Sequence, residues 1–150
     1  MQKLIATNKK AYHNYFLEEK WECGIALTGG EVKSIRAGLV NFKNSYAHID
    51  EGELFLYDLH ILAYKEASYL NEVSDRKRKL LVHSREMNKM ESSVREKGLA
   101  LVPTKLYFND RGLVKVEVAV ARGKKMYDKR EDIKKRAVEK GLKRAIKQRR

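Results

Sequence analysis

The stretch LALVPTKLYFNDRGLVKVEVAVA, residues 99–121, contains the clearest signal of fold class in this chain. Its second half has valine at every other position, and a period of two predicts a strand with one buried face. Residues 109–112, NDRG, are typical of a turn, so the stretch predicts two β-strands joined by a short loop. Pro103 cannot donate a backbone hydrogen bond, which predicts an edge position or a bulge in the first strand.

Two segments nearer the N-terminus have local signals of their own. Asn8 can cap a short helix that carries Ala11, Tyr12, Tyr15 and Phe16. A strand follows, because apolar residues occupy every second position at Trp21, Cys23, Ile25 and Leu27. Glu22 falls between two of these positions, so we expect its side chain to point away from the core.

Two further helices are predicted from their ends. Thr28 and Glu31 have the spacing of a capping box, which begins a helix that ends near Gly38. Its apolar residues are Val32 and Ile35. Ser84 begins a longer helix that stops at Gly98. One face of that helix carries Met87, Met90 and Val94.

A hairpin completes the predicted elements. Residues 45–50 and 53–61 read as two strands joined across residues 51–52. The second strand would present one face made of Phe55, Tyr57, Leu59 and Ile61. The body then has five or six strands and about three helices, without the strand–helix alternation of a parallel sheet. We therefore predict a mainly β fold, a small antiparallel barrel like the oligonucleotide-binding (OB) fold with about three flanking helices.

The charge is concentrated at the C-terminal end of the chain. Residues 1–122 hold 20 basic and 16 acidic side chains, a net charge of +4, whereas residues 123–150 hold 13 and 4, a net charge of +9. A cationic segment of this kind suits a polyanion such as RNA, although a solubilising tail or an anionic membrane surface would have the same charge. Gly141 and the few apolar residues make an isolated helix unstable. We predict a body at 1–122 and a tail at 123–150 that is disordered when free and helical when bound.

Several classes of protein are excluded by composition. No run approaches the roughly 18 apolar residues of a membrane span, and the first residues lack the apolar core of a signal peptide, so we expect a cytoplasmic protein. Cys23 is the only cysteine and the four histidines are far apart, which predicts neither a disulfide nor a metal site. No phosphate-binding glycine loop or nucleophile motif is present. We therefore predict no cofactor and no enzymatic activity.

Two clusters of polar residues leave more than one interpretation open. Asp58 and His60 would share a face of a predicted strand, but without a Ser or Cys nucleophile a structural pair is the better interpretation. The run Arg76-Lys77-Arg78-Lys79 fits a solvated loop and a phosphate contact at the rim of a barrel equally well.

Three segments resemble the SmpB family, the SsrA-binding proteins of bacterial ribosome rescue. The first combines NKKA at 8–11 with GIALTGGEVKSIRAG at 24–38. The second is RKLL at 78–81 followed by Arg85-Glu86, and the third is GKKMYDKR at 123–130. The resemblance follows the whole chain in order, and the two longer stretches are far more specific than any short motif.

The resemblance implies an RNA-binding protein with an OB-type barrel. Family members hold the tRNA-like part of transfer-messenger RNA (tmRNA) and deliver it to ribosomes stalled without a stop codon, where it accepts the nascent chain and encodes a degradation tag. The implied partners are tmRNA and the decoding centre and messenger channel of the small ribosomal subunit, with no membrane. A general single-stranded RNA-binding protein of the OB class, or a ribosome-associated protein, is the alternative.

The family's functional residues transfer onto matching positions of this sequence. The RNA-binding residues of the body would be Asn8, Glu22, Leu81 and Lys115. The residues that reach the decoding centre would be Gly123, Lys124, Lys125, Tyr127, Asp128, Lys129 and Arg130. A carboxylate at Glu22 can accept hydrogen bonds from base amino groups or 2′-hydroxyls, and an aromatic ring at Tyr127 can stack on a base.

Overall fold

The computed structural model describes residues 2–62 and 76–124. The first part contains β1 (Lys3–Thr7), α1 (Lys9–Asn14), β2 (Tyr15–Ile25), α2 (Gly29–Arg36), β3 (Val40–Asn41), β4 (Tyr46–Asp50), β5 (Glu53–Tyr57) and β6 (His60–Ile61). The second part contains β7 (Arg78–Leu81), α3 (Ser84–Lys97), β8 (Ala100–Phe108) and β9 (Val114–Gly123). No helix in these two ranges has the length and hydropathy of a transmembrane segment.

The strands form a ring. They pair in the order β8, β4, β5, β7, β2 and β9, and β9 pairs again with β8, so that antiparallel pairings close the circle. β1 pairs with β8 but is not part of the closed circle, and β3 pairs separately with β6. A mainly β, antiparallel fold with three helices is confirmed. The described ranges hold nine strands rather than five or six, because β1, β3, β6 and β7 lack a clear alternation of their own.

The predicted valine stripe lies in the core of the ring. Val116 and Val118 are fully buried, and Val114 and Val120 are at most 9% exposed. Cys23 on β2 packs in the same cluster, where burial raises the pKa of its thiol to about 12. The register of β8 against β9 shifts between Pro103 and Lys105, which confirms the predicted bulge.

The hairpin of β4 and β5 forms as predicted, but its core face is different. Leu54 and Leu56 are fully buried, whereas Phe55 and Tyr57 are only partly buried on the opposite face. Asp58 has a φ of +59° and ends the strand, and this break places Leu59 and Ile61 in the core despite their odd numbers. The prediction of one continuous face from Phe55 to Ile61 is therefore wrong, and Asp58 shares no strand with His60.

The predicted N-terminal helix is confirmed, with a shorter extent. The side chain of Asn8 accepts a hydrogen bond from the backbone N–H of Ala11 and so caps α1. Tyr15 and Phe16 are the first residues of β2 rather than the last of the helix, because the backbone at Tyr15 is extended. At the other end of β2, Trp21 and Cys23 are buried as predicted.

The α2 capping box is part of a buried ionic cluster. Thr28 and Glu31 exchange the expected hydrogen bonds. The two carboxylate oxygens of Glu31 also accept from Arg76 at 2.5 Å and from Arg78 at 2.7 Å. Arg78 is completely buried and donates as well to the carbonyl of Leu59 at 2.8 Å. Arg78 therefore ties α2 to β7, and neither a solvated loop nor a phosphate contact describes it.

This arrangement keeps Glu31 ionised. Burial alone disfavours the charged carboxylate, but the hydrogen bonds from the Thr28 N–H, Arg76 and Arg78 outweigh it, and the pKa of Glu31 falls below 4.5. Lys77 and Lys79 in the same run are exposed and lie near Asp50 and Glu53.

Candidate RNA interface

Four strands bring one row of side chains together on the outside of the ring. In the antiparallel register Tyr107 of β8 lies opposite Lys115 of β9, Lys115 opposite Gly24 of β2, and Gly24 opposite Leu81 of β7. The sequence neighbours of these residues, such as Val116, point into the core and are buried or partly buried against it. The row therefore lies on the outer surface and contains two of the four predicted RNA-binding residues.

Gly24 lies between Leu81 and Lys115 in this row, and because it has no side chain the two can approach each other. A Cβ atom added at Gly24 would lie 3.3 Å from Cβ of Leu81 and 3.7 Å from Nζ of Lys115. A groove of about 270 Å³ opens here, and two of its lining side chains, Leu81 and Leu113, are 55% and 54% exposed. Exposed leucines beside an ammonium group offer both apolar contact and charge to a ligand.

Glu22 lies beside this row, two residues before Gly24 on β2. Its side chain is exposed, which confirms the predicted outward orientation. The hydroxyl of Tyr107 donates a hydrogen bond to Oε2 of Glu22 at 2.5 Å. Burial, together with the hydrogen bond and charge of Glu22, raises the pKa of Tyr107, so the phenol stays protonated and remains a donor.

A second carboxylate faces Glu22 across the strand pair. Glu117 of β9 is the register partner of Glu22, and Thr104 donates to Oε2 of Glu117 at 2.5 Å. Like charges directly opposite each other in a sheet are unfavourable. A hydroxyl of β8 donates to each of the two carboxylates, Tyr107 to Glu22 and Thr104 to Glu117.

Asn8 lies apart from the Tyr107–Leu81 row. It is only 5% exposed, and its side-chain amide donates to the carbonyl of Pro103 at 2.8 Å while its oxygen caps α1. Both polar atoms of the side chain thus have partners within the protein. The structure places Asn8 as the residue that attaches α1 to β8.

The last described residues attach the start of the tail to the body. Gly123 is the register partner of Tyr15, and the backbone N–H of Lys124 donates to the carbonyl of Asn14 at 2.8 Å. The ammonium of Lys124 lies 5.0 Å from the ring centre of Phe16. The other predicted tail residues, Lys125, Tyr127, Asp128, Lys129 and Arg130, lie outside the described residues, as does the predicted change from disorder to helix.

Three residues of this surface, Gly24, Leu113 and Tyr107, were not predicted as site residues from their sequence pattern. Gly24 interrupts an otherwise regular strand, and a glycine in a strand interior is a recognised sign of close approach. Leu113 comes just before the alternating valines and has the opposite parity, so the alternation does not assign it to the core. Tyr107 fits ordinary cross-strand packing in the sequence, and nothing in the local pattern connects it with Glu22, which is 85 residues away.

Comparison with known proteins gives consistent results. The model of the SmpB protein family matches residues 5–148. The SsrA-binding protein of Moorella thermoacetica is 50% identical over 98% of this chain and 95% of its own length, and that of Geotalea uraniireducens is 52% identical over 99% and 97%. A solved chain described as "tmRNA-SmpB: a journey to the center of the bacterial ribosome" superposes with a TM-score of 0.68 at 50% identity, covering 89% of this chain and 93% of that one.

Proposed function

This chain belongs to the SmpB family, and we propose on that basis that it binds the tRNA-like part of tmRNA and delivers it to stalled ribosomes for trans-translation. The observation that carries the proposal is the family match over residues 5–148, which spans both the ring of strands and the basic tail. The protein acts by binding and handover rather than by catalysis. We place this activity in the cytoplasm, where ribosomes translate.

The outer row of the ring is the proposed RNA-binding surface of the body. Lys115 contributes charge to a phosphate, and Leu81 packs its exposed side chain on a base or ribose. Glu22 accepts hydrogen bonds from base amino groups or 2′-hydroxyls, which distinguishes this surface from a purely cationic one. Asn8 contributes through α1, whose position it sets by the contacts with Ala11 and Pro103.

The tail is the proposed ribosome-binding part. Gly123 and Lys124 mark its start, and Lys125, Tyr127, Asp128, Lys129 and Arg130 are proposed to occupy the decoding centre and the empty messenger channel. The net charge of +9 over residues 123–150 suits a path lined by ribosomal RNA phosphates.

Selective binding tests the proposed function. We expect the protein to prefer tmRNA over an equal mass of ordinary tRNA in a titration repeated at increasing salt, and the preference to persist at high salt. Phosphate attraction weakens steeply with salt, whereas hydrogen bonds and apolar contacts to one folded RNA do not. Equal affinities that fall together would contradict the proposal and favour a general RNA-binding protein. Retention on ribosomes whether or not they are stalled would favour a ribosome-associated protein.

Gly24 offers a sharper test of where tmRNA binds. We expect Gly24→Val to weaken tmRNA binding by about tenfold at high salt, because the added methyl groups fill the groove between Leu81 and Lys115. Valine favours strands, but Cβ of Leu81 would have to shift by a few tenths of an ångström, so the pairing of β2 with β7 must be shown to persist. Circular dichroism and thermal unfolding check the fold, and filter binding measures the affinity.

Gly29→Val is the matched control, because nothing lies within 4 Å of a Cβ atom added at Gly29. If both variants bind tmRNA like the parent protein, the groove beside Gly24 is not the RNA surface.

A further inference from the structure

We propose that Tyr107 is a positioning residue for RNA recognition, which holds the carboxylate of Glu22 in the orientation that accepts hydrogen bonds from tmRNA. This inference rests on the proposed function and adds to it a residue that neither the motifs nor the fold class would identify. Tyr107 itself is only 9% exposed and would act through Glu22 rather than by touching the RNA.

The geometry of the pair supports this role. The Tyr107 hydroxyl lies 2.5 Å from Oε2 of Glu22, which leaves Oε1 available to a ligand. Tyr107 is held firmly because it lies between two paired strands. Its register partners are Leu4 of β1 on one side and Lys115 of β9 on the other. A flexible, exposed glutamate is thus tied at one oxygen to a rigid, buried donor. Such preorganisation removes part of the entropic cost of binding.

The electrostatics argue against a purely structural pair. Among residues 2–62 and 76–124, no Lys or Arg nitrogen lies within salt-bridge distance of the Glu22 carboxylate. Glu117, its register partner, has the same charge. A neutral residue at position 22 would relieve this repulsion. The carboxylate therefore has no described cationic partner in the fold and faces a like charge, which fits a group kept for a ligand.

The test compares tmRNA binding by four variants at a salt concentration where ordinary tRNA no longer binds. Tyr107→Phe removes the hydroxyl and keeps the ring, and we expect it to weaken tmRNA binding about three- to tenfold. Glu22→Ala should weaken binding as much or more. The double variant should bind no more weakly than Glu22→Ala alone, because no carboxylate remains to be positioned. Tyr57→Phe is the matched control, since Tyr57 is a partly buried tyrosine on a different part of the sheet whose ring stacks on Tyr46.

A merely structural role would give a different pattern. The effect of Tyr107→Phe on tmRNA binding would then add to that of Glu22→Ala. Additive losses, or unchanged or tighter binding by Tyr107→Phe, would overturn the positioning role. If the unmodified protein shows no preference for tmRNA over tRNA in the same assay, the proposed function itself fails. The two failures are therefore distinguishable.

Discussion

Truncation after Lys124 is expected to abolish peptide tagging on stalled ribosomes while leaving selective tmRNA binding intact. The described contacts that attach the end of β9 to the body, from Gly123 to Tyr15 and from Lys124 to Asn14, would be retained. The outer row from Tyr107 to Leu81 would also be unchanged. Affinity at low salt should fall, because many of the basic residues are removed, but the preference for tmRNA at high salt should persist.

The measurement pairs tmRNA binding with tagging in a reconstituted translation system. A full-length variant with residues 125–150 in shuffled order keeps the charge and serves as the control, and it should also fail to tag. Loss of selective tmRNA binding together with tagging would contradict the division between a recognising body and a ribosome-directed tail. Normal tagging by the shuffled variant would contradict the specific roles proposed for Tyr127 and its neighbours, because the charge of the tail alone would then suffice.

Replacing Glu31 with alanine is expected to destabilise the protein by about 3–5 kcal/mol. The change removes a carboxylate oxygen that lies 2.7 Å from Nε and 2.5 Å from Nη2 of the buried Arg78 guanidinium. Arg78 is completely buried in the parent protein, so its charge has lost its hydration and depends on partners within the fold. The capping-box hydrogen bond to the Thr28 N–H would be lost as well. Chemical denaturation monitored by circular dichroism measures the change in the free energy of unfolding.

Glu53→Ala is the matched control for this experiment. Glu53 also faces a cation, Lys79, but both side chains of that pair are about half exposed, and the expected loss is at most about 1 kcal/mol. Similar losses for the two variants would show that the Glu31 cluster contributes no more than a surface pair.

The same carboxylate has a defined effect on acid stability. Because its pKa in the folded protein lies below its ordinary value of 4.5, the stability that Glu31 contributes is complete above that value. It is lost as the pH falls through the lowered folded pKa. The difference in unfolding free energy between the parent protein and Glu31→Gln should therefore be large near neutral pH and shrink on acidification.

The elements that the sequence predicts well depend on neighbours along the chain. Alternating valines at 114–120, the Thr28–Glu31 capping box and the turn at 109–112 each act within a few residues, and all three occur in the structure. Their physical basis is local, because backbone periodicity and the unpaired N–H groups of a first helical turn need no distant partner. The antiparallel, mainly β fold follows from these elements. The membership of the family follows from longer motifs.

The candidate site depends instead on register and on backbone breaks that no local pattern shows. The hydrogen bond between Tyr107 and Glu22 joins residues 85 positions apart, and it exists only because β8, β9 and β2 pair in one register. The positive φ of Asp58 ends β5, so the hairpin buries a different face from the predicted one. Arg78 is buried because it pairs with the carboxylate of Glu31, which is 47 residues away in the sequence. For Tyr107 and Arg78 the stabilising free energy comes from a carboxylate that folding brings near. Local propensity therefore determines where the strands form, and long-range strand pairing determines which of their residues lie together on the proposed RNA-binding surface.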